Sequence, residues 1–392
     1  MTDRPKILLI ALENFGTARL PRELQAAGFR VGIACRPEAF LAKTRFFEER
    51  FFFSRKDHGP GLMAALSGIA SAWRPDWIQA MDDRTALFLA SGARYKKHTA
   101  LSKLLAKSTG NPEGVIAAVD KWRTWQAAEQ TGIRVPATKV AGSLADMLKF
   151  GAQRGYPLVL KLAFSHAGMG VRICRDATEA ETAWNRLYQR NSPIDRLYGW
   201  REKVRGRVLD DFWHPASREI LASEFIAGRP AMVQAVALEG RTLGLLMAVA
   251  EETFPRAVNP ASVVRFIRHD EMRNAVEKLI AHWKLSGFIA FDFVLDTDNR
   301  AWFLECNPRP IPISHLGALA GEDLCRRLYA ALTSTPPPVE KNFQELSVAH
   351  FPREQRRDPD SEWLRRAFHD VPADEPELMA ALLADHSATK TE

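Results

Sequence analysis

The sequence predicts an α/β protein of two or three lobes, and three observations carry that prediction. A strand, helix, strand unit opens the chain: Lys6-Ile-Leu-Leu-Ile-Ala reads as a buried strand, Arg19 to Ala27 as a helix stopped by Gly28, and Val31-Gly-Ile-Ala-Cys35 as the next strand. Strand and helix signals alternate again through about 135–225, and two strong strand pairs follow in 225–335. At 392 residues with 46% hydrophobic composition, the chain is too long for one typical core.

Taken in order, the segment Glu13-Asn-Phe-Gly-Thr17 after the first strand lacks the GxGxxG spacing, so a Rossmann dinucleotide site has little support. Asp76-Trp-Ile-Gln-Ala-Met81 reads as a strand ending at Asp82-Asp83, either at a sheet edge where ligands sit or as helix N-caps. A loop at Ser108 to Glu113 separates this first lobe from a helix running through Lys121 and Trp125, with Gly132 as its C-cap. Arg190 to Pro215 is rich in Arg, Trp and Asp without clear periodicity and reads as a long insertion or loop. A helix is expected near Leu319 to Leu332, then Pro336-Pro-Pro338 breaks the chain. The polar tail that follows carries one helix signal, Glu375 to Ala384, and the chain shows no internal repeat.

Charge and cysteines narrow the function classes. The net charge of +7 is spread out, with no block of five or six basic residues, so nucleic acid is disfavoured as a partner. Cys35, Cys174, Cys306 and Cys325 lie far apart and form no CxxC pair, which signals neither a disulfide framework nor a zinc site. The apolar run Ile7 to Leu12 is too short for a signal segment or a bilayer span, and the expectation is a cytoplasmic protein with no membrane association.

Two motifs carry chemistry. Leu158-Val-Leu-Lys161-Leu is a strand whose alternation places Lys161 opposite Leu158, Leu160 and Leu162, where an ammonium needs an anion. Ser165-His-Ala-Gly168-Met-Gly170 follows and leads into a second strand, Val171-Arg-Ile-Cys174. Glycines there let backbone N–H groups approach phosphate oxygens while the lysine supplies a point charge, although an ordinary hairpin has the same outline. Further on, Gly287 to Leu295 and Ala301 to Asn307 read as paired strands, and a two-residue turn at Asp298-Asn299 would set Asp292 directly opposite Glu305. Like charges so placed among Phe291, Phe293, Phe303 and Leu304 are destabilising unless a cation joins them. Asn307, two residues after Glu305, lies on the same strand face, so three oxygen donors suit a hard ion such as Mg²⁺ bridging phosphates. Arg309 follows, placed to stabilise a transferring phosphoryl group or, more blandly, to pair with the carboxylates.

In this order the motifs resemble the ATP-grasp superfamily, in particular its carboxylate-amine ligase and carbamoyl-phosphate-synthetase-like branch. The resemblance spans about residues 5 to 335, with Phe303-Leu-Glu305-Cys-Asn307-Pro308-Arg309-Pro310 its most specific part. It implies a pre-ATP-grasp, Rossmann-like lobe at 1–110 and an α+β ATP-grasp domain at 111–335. That domain divides into a lid subdomain at about 135–225 and a metal-binding subdomain at about 226–335, with a tail at 336–392. It also implies that Lys121 and Lys161 contact ATP phosphates under a flap from Ser165 through His166 and Gly168 to Gly170. Glu224, Phe225 and Ile226 would meet adenine, Asp292, Glu305 and Asn307 would hold Mg²⁺ (or Mn²⁺), and Arg309 would steady an acyl-phosphate transition state. Arg265 and His315 are candidate contacts for a substrate carboxylate. Arg229-Pro-Ala231 stands where many relatives carry a ribose-binding acid, and Asp292 where glutamate or glutamine is common.

The implied activity is ADP-forming ligation of a small-molecule carboxylate to an amine, amino acids among the substrates, in a chain that could pair as a homodimer. The competing reading is a non-catalytic ATP-binding module that regulates a protein partner, against which the intact set Lys161, Asp292, Glu305, Asn307 and Arg309 argues.

Overall fold

The computed structural model describes residues 4–13, 17–54, 57, 59–94, 99–164, 170–190, 219–254, 260–339 and 341–385. Among them the strands gather into three sheets. The first is parallel, with β1 (Lys6–Ala11), β2 (Arg30–Cys35), β3 (Glu49–Phe52) and β4 (Trp77–Ala80) in the order β3-β2-β1-β4. β1, β2 and β4 are mostly apolar because helices and the rest of the protein cover both faces, whereas β3 at the edge is largely exposed. The helix Leu20–Ala27 ends at Gly28, which at φ +115° closes it with N–H bonds to the carbonyls of Gln25 and Leu24. A Cβ there would also press on the Tyr329 ring at 2.9 Å, so glycine is required twice over. β1 lies between β2 and β4, making the ends of β1 and β4 the point where strand order reverses.

The second sheet is antiparallel: β5 (Thr138–Ala141), β6 (Leu158–Leu162), β7 (Val171–Cys174) and β8 (Ile220–Glu224), in the order β5-β8-β6-β7. It has a hydrophobic core of its own, in which Leu158, Leu160 and Ala222 pack with Met147 and Phe150 from one helix and Trp184 and Leu187 from another.

The third sheet has the order β13-β12-β9-β10-β11-β14-β15. Its members are β9 (Arg229–Leu238), β10 (Arg241–Thr253), β11 (Ala261–Ile267), β12 (Gly287–Leu295), β13 (Ala301–Asn307), β14 (Ser347–His350) and β15 (Phe368–Asp370). Both of its faces are buried together with residues of the parallel sheet and its helices: Val233, Val249 and Phe291 share a core with Leu8 and Ile10, and Val236, Phe266 and Phe288 share one with Ile7 and Leu9. Buried Gln79, in β4, accepts the Phe288 N–H at 2.9 Å and ties the two sheets together.

Three expectations change. The residues after 336 are more than a polar tail, since β14 and β15 extend the third sheet and the expected helix follows at Pro376–Ala384. The helix expected over 319–332 is two, Gly317–Ala320 and Leu324–Thr333, the second capped by Asp323 on the Arg326 N–H. The β12–β13 connection is longer than a two-residue turn, pairing Leu295 with Ala301 across Asp296 to Arg300. A bulge between Asp292 and Phe293 then restores the predicted register, so Asp292 does face Glu305.

Candidate active site

The site forms where the second and third sheets meet. Residues 225–228 link β8 of one to β9 of the other, so Glu224, Phe225 and Ile226 lie at the junction. Glu224 is anchored there by its own N–H on the Ala137 carbonyl at 2.8 Å and by its Oε2, which accepts the Ala137 N–H at 3.4 Å.

Two buried lysines arrive from different elements. Lys121 is the first residue of the helix Lys121–Gln130, which Asp120 caps by accepting the Trp122 and Arg123 N–H groups. Its backbone N–H donates to the Ala163 carbonyl just past β6 at 2.8 Å, which draws it toward Lys161. Lys161 projects from β6 away from Leu158 and Leu160 and is only 9% exposed. Burial lowers its pKa to about 8; Glu305 acts against that shift and Lys121 adds to it. Gly170, at φ +92°, turns the chain into β7, a conformation open to glycine at little cost. Ser165, His166 and Gly168 fall outside the described residues, as does most of the 190–215 insertion.

Opposite the lysines stand the carboxylates of β12 and β13. Lys121 Nζ lies 3.1 Å from Glu305 Oε2, and Asn307 Nδ2 donates to Asp292 Oδ2 at 2.9 Å. Burial pushes the Asp292 carboxyl up out of the usual range, with Glu305 adding to the effect. Burial pushes Glu305 up too, but Lys121 and Lys161 more than offset it and hold that carboxyl low. Glu305 thus has two lysines beside it, while Asp292 has less compensating positive charge for its burial. A divalent cation would supply that charge, and two carboxylates with a carboxamide oxygen form an all-oxygen donor set for Mg²⁺. No cluster of three or more His, Cys, Asp or Glu able to hold a metal occurs among the described residues, so such an ion would complete its shell with phosphate oxygens and water.

Arg309 is buried just beyond β13, its N–H on the Asn307 carbonyl at 2.7 Å and its Nη1 donating to the Pro310 carbonyl at 3.2 Å. Its Nε lies 2.9 Å from Asp83 Oδ1 of the first lobe. The cap is Asp82, which takes the Thr85 N–H at 2.7 Å, while Asp83 is free of that duty. The loop after Arg309 is held by Gln234, fully buried in β9, whose Oε1 accepts from Ile311 N–H at 2.9 Å and Ser314 Oγ at 2.6 Å. A lone amide inside the apolar run of β9 was the sequence signal for it.

Arg265 and His315 are engaged elsewhere. Arg265 pairs with Glu251 at 2.7 Å and Glu345 at 3.6 Å, and buried His315 bonds Asp370 of β15 at 3.0 Å, where Asp370 also pairs with Arg19.

The chain is similar to several known proteins. Residues 118–190 match the RimK-like ATP-grasp domain family. The carbamoyl phosphate synthase large chain of Thermus thermophilus is 24% identical over 319 residues, which cover 79% of this chain and 28% of that protein. The D-alanine–D-alanine ligase of Bordetella petrii is 27% identical over 251 residues, covering 58% of this chain and 68% of that one. Among solved structures, the biotin carboxylase domain dimer of Hydrogenobacter thermophilus 2-oxoglutarate carboxylase, in complex with MgADP, ADP and bicarbonate, superimposes with a TM-score of 0.61 at 15% identity. The superposition covers 88% of this chain and 74% of that one. The chain is thus similar to ATP-grasp proteins in fold and, over residues 118–190, in sequence, and it spans less than a third of the length of the carbamoyl phosphate synthase it matches.

Proposed function

We propose that the protein is an ADP-forming ligase that uses ATP and Mg²⁺ to activate a small-molecule carboxylate for attack by an amine. The observation that carries this reading is that Lys121, Lys161, Asp292, Glu305, Asn307 and Arg309, from different elements, lie close enough to pair with or act electrostatically on one another. Glu224 and the backbone at Phe225 and Ile226 hold the adenine, and the two lysines hold the phosphates. Asp292, Glu305 and Asn307 carry Mg²⁺ (Mn²⁺ fits the same donors), which when bound neutralises the phosphates and draws charge from the γ-phosphoryl group. Arg309 stabilises the charge that grows as a carboxylate oxygen attacks that group in line, giving an acyl phosphate and ADP. An amine nitrogen then attacks the acyl carbon, phosphate leaves, and an amide forms with loss of a proton.

Amino acids are the first substrates to try, since the Bordetella relative is named for joining two alanines. A homodimer fits the dimeric Hydrogenobacter relative and is checked by light scattering. All four cysteines are free and buried, which suits the reducing cytoplasm, and no helix among the described residues is long and apolar enough to cross a membrane. The direct test incubates the protein with ATP, Mg²⁺ and pools of amino acids and small carboxylates, following phosphate release and new masses. Substrate-dependent ADP and phosphate with an amide product is the expected result. ATP binding without turnover on any pool would turn the reading toward a regulatory module that acts on a protein partner.

A further inference from the structure

We propose that Asp83, on the first lobe, is a positioning residue that fixes the guanidinium of Arg309 for phosphoryl transfer; the role rests on the ligase reading above. The geometry is specific. Asp83 opens the helix Asp83–Ala93 directly after β4, at the strand-order reversal of the parallel sheet, and is 5% exposed. Its neighbour Asp82 pins that position, accepting N–H groups from Leu12 at 2.8 Å, Glu13 at 3.1 Å and Thr85 at 2.7 Å, and the Thr85 hydroxyl at 2.7 Å. The carboxylate offered to Arg309 Nε at 2.9 Å therefore stands on a rigid base. Arg309 is stiffened from its own side by Pro308 and Pro310 and by the Gln234 contacts to the following loop.

The arrangement answers a physical problem. A long arginine side chain loses rotamer freedom when it is held, and transition-state stabilisation is effective only if the donor is already aimed. Asp292, close enough to influence Arg309 electrostatically, is a competing carboxylate within the proposed metal set. Asp83 draws the guanidinium to the first-lobe side and leaves Asp292 to the cation. The first lobe thus completes the site as well as flanking it.

Because the natural carboxylate is unidentified, the test uses the reverse half-reaction, ATP formation from MgADP and acetyl phosphate. There the acyl C–O bond stays intact, the O–P bond of acetyl phosphate breaks, the phosphoryl group joins the ADP β-phosphate oxygen, and acetate leaves. For Asp83→Asn we expect kcat to fall by about 100-fold, the scale of losing one aimed donor, with KM for ADP within two-fold and calorimetric MgADP affinity unchanged. Arg309→Met should fall as far, and the double variant no further, because both changes remove one unit. Asp83→Glu, which keeps a carboxylate facing Arg309, should recover to within about 10-fold of wild type and guards against a folding artefact in Asp83→Asn. Wild-type kcat in folded Asp83→Asn, or multiplicative losses in the double variant, would overturn the role of Asp83 alone. A wild-type protein that binds MgADP yet makes no ATP from acetyl phosphate would overturn the ligase reading and this role with it.

Discussion

Lys161 is a cost that the fold bears in the absence of phosphate, and the size of that cost follows from its environment. Its pKa falls from 10.5 to about 8 on burial, a difference of 2.5, or about 3 kcal/mol at about 1.36 kcal/mol per unit. The sign is that of a depressed lysine: the unfolded chain binds the proton more tightly, so the penalty is complete below pH 8 and fades as pH rises toward 10.5. Replacing Lys161 by Met keeps the linear side chain and removes the charge. Glu305 retains Lys121 at 3.1 Å, so the second carboxylate is not stranded. Scanning calorimetry without nucleotide should find the Lys161→Met protein more stable than wild type by about 1–3 kcal/mol at pH 7, with the gap shrinking to under about 1 kcal/mol at pH 10. With MgATP at 100 times its Kd the wild type gains about 2.7 kcal/mol, and the variant, having lost a phosphate contact, gains less. A variant less stable than wild type by the same margin at both pH values would refute the claim that Lys161 is held against its desolvation.

Other positions give separate checks. Glu305→Gln removes the carboxylate that both lysines face and that completes the cation set, so turnover should fall by at least about 1000-fold while ATP still binds, as single-turnover assays would reveal. Gln234→Leu strands the Ile311 N–H and the Ser314 hydroxyl in a fully buried place, and chemical denaturation should read a loss of about 2–4 kcal/mol. Asp370→Asn leaves Arg19 and His315 facing a neutral amide and should cost about 3–5 kcal/mol at pH 7. The two basic groups hold the Asp370 carboxyl below its ordinary 3.8 against the effect of burial, so that stability is present above pH 4 and lost as pH falls further. Melting curves of wild type and variant should therefore converge in acid.

Which strand face a residue takes was more legible in the sequence than the contacts between distant elements. Alternation alone put Lys161 opposite Leu158 and Leu160, because a strand has only two faces, and the structure keeps that division. The facing of Asp292 and Glu305 was also readable, though the assumed turn was too short and a bulge made good the difference. Asp82 and Asp83 could not be sorted, because the cap is decided by local hydrogen bonds while the Arg309 contact lies 226 residues away in sequence, beyond any periodic signal. β14 and β15 escaped for another reason: four and three residues long, they hold too few apolar positions to register a pattern, and β14 owes its extended form to the open edge of β11 as β15 does to that of β14.

The distribution of cores separates the second sheet from the other two. The second sheet packs on a cluster of its own, whereas the parallel sheet and the third sheet bury residues in common on both faces and are stitched by Gln79. Shifting the first lobe against the third sheet would tear two shared cores, at about 25 cal/mol for each Å² of apolar surface exposed, while swinging the second sheet about 225–228 disturbs neither. Asp83, Asp292, Glu305, Asn307 and Arg309 therefore stand on the side with the shared cores, and Lys161 stands on the second sheet. Lys121 stands at the boundary, its helix packed on β13 and its N–H bonded to Ala163 beyond β6, so closure and the Lys121–Glu305 pair are mechanically one event. In the proposed ligase, nucleotide phosphates would bridge the two sides, adding negative charge beside Lys161 to that of Glu305.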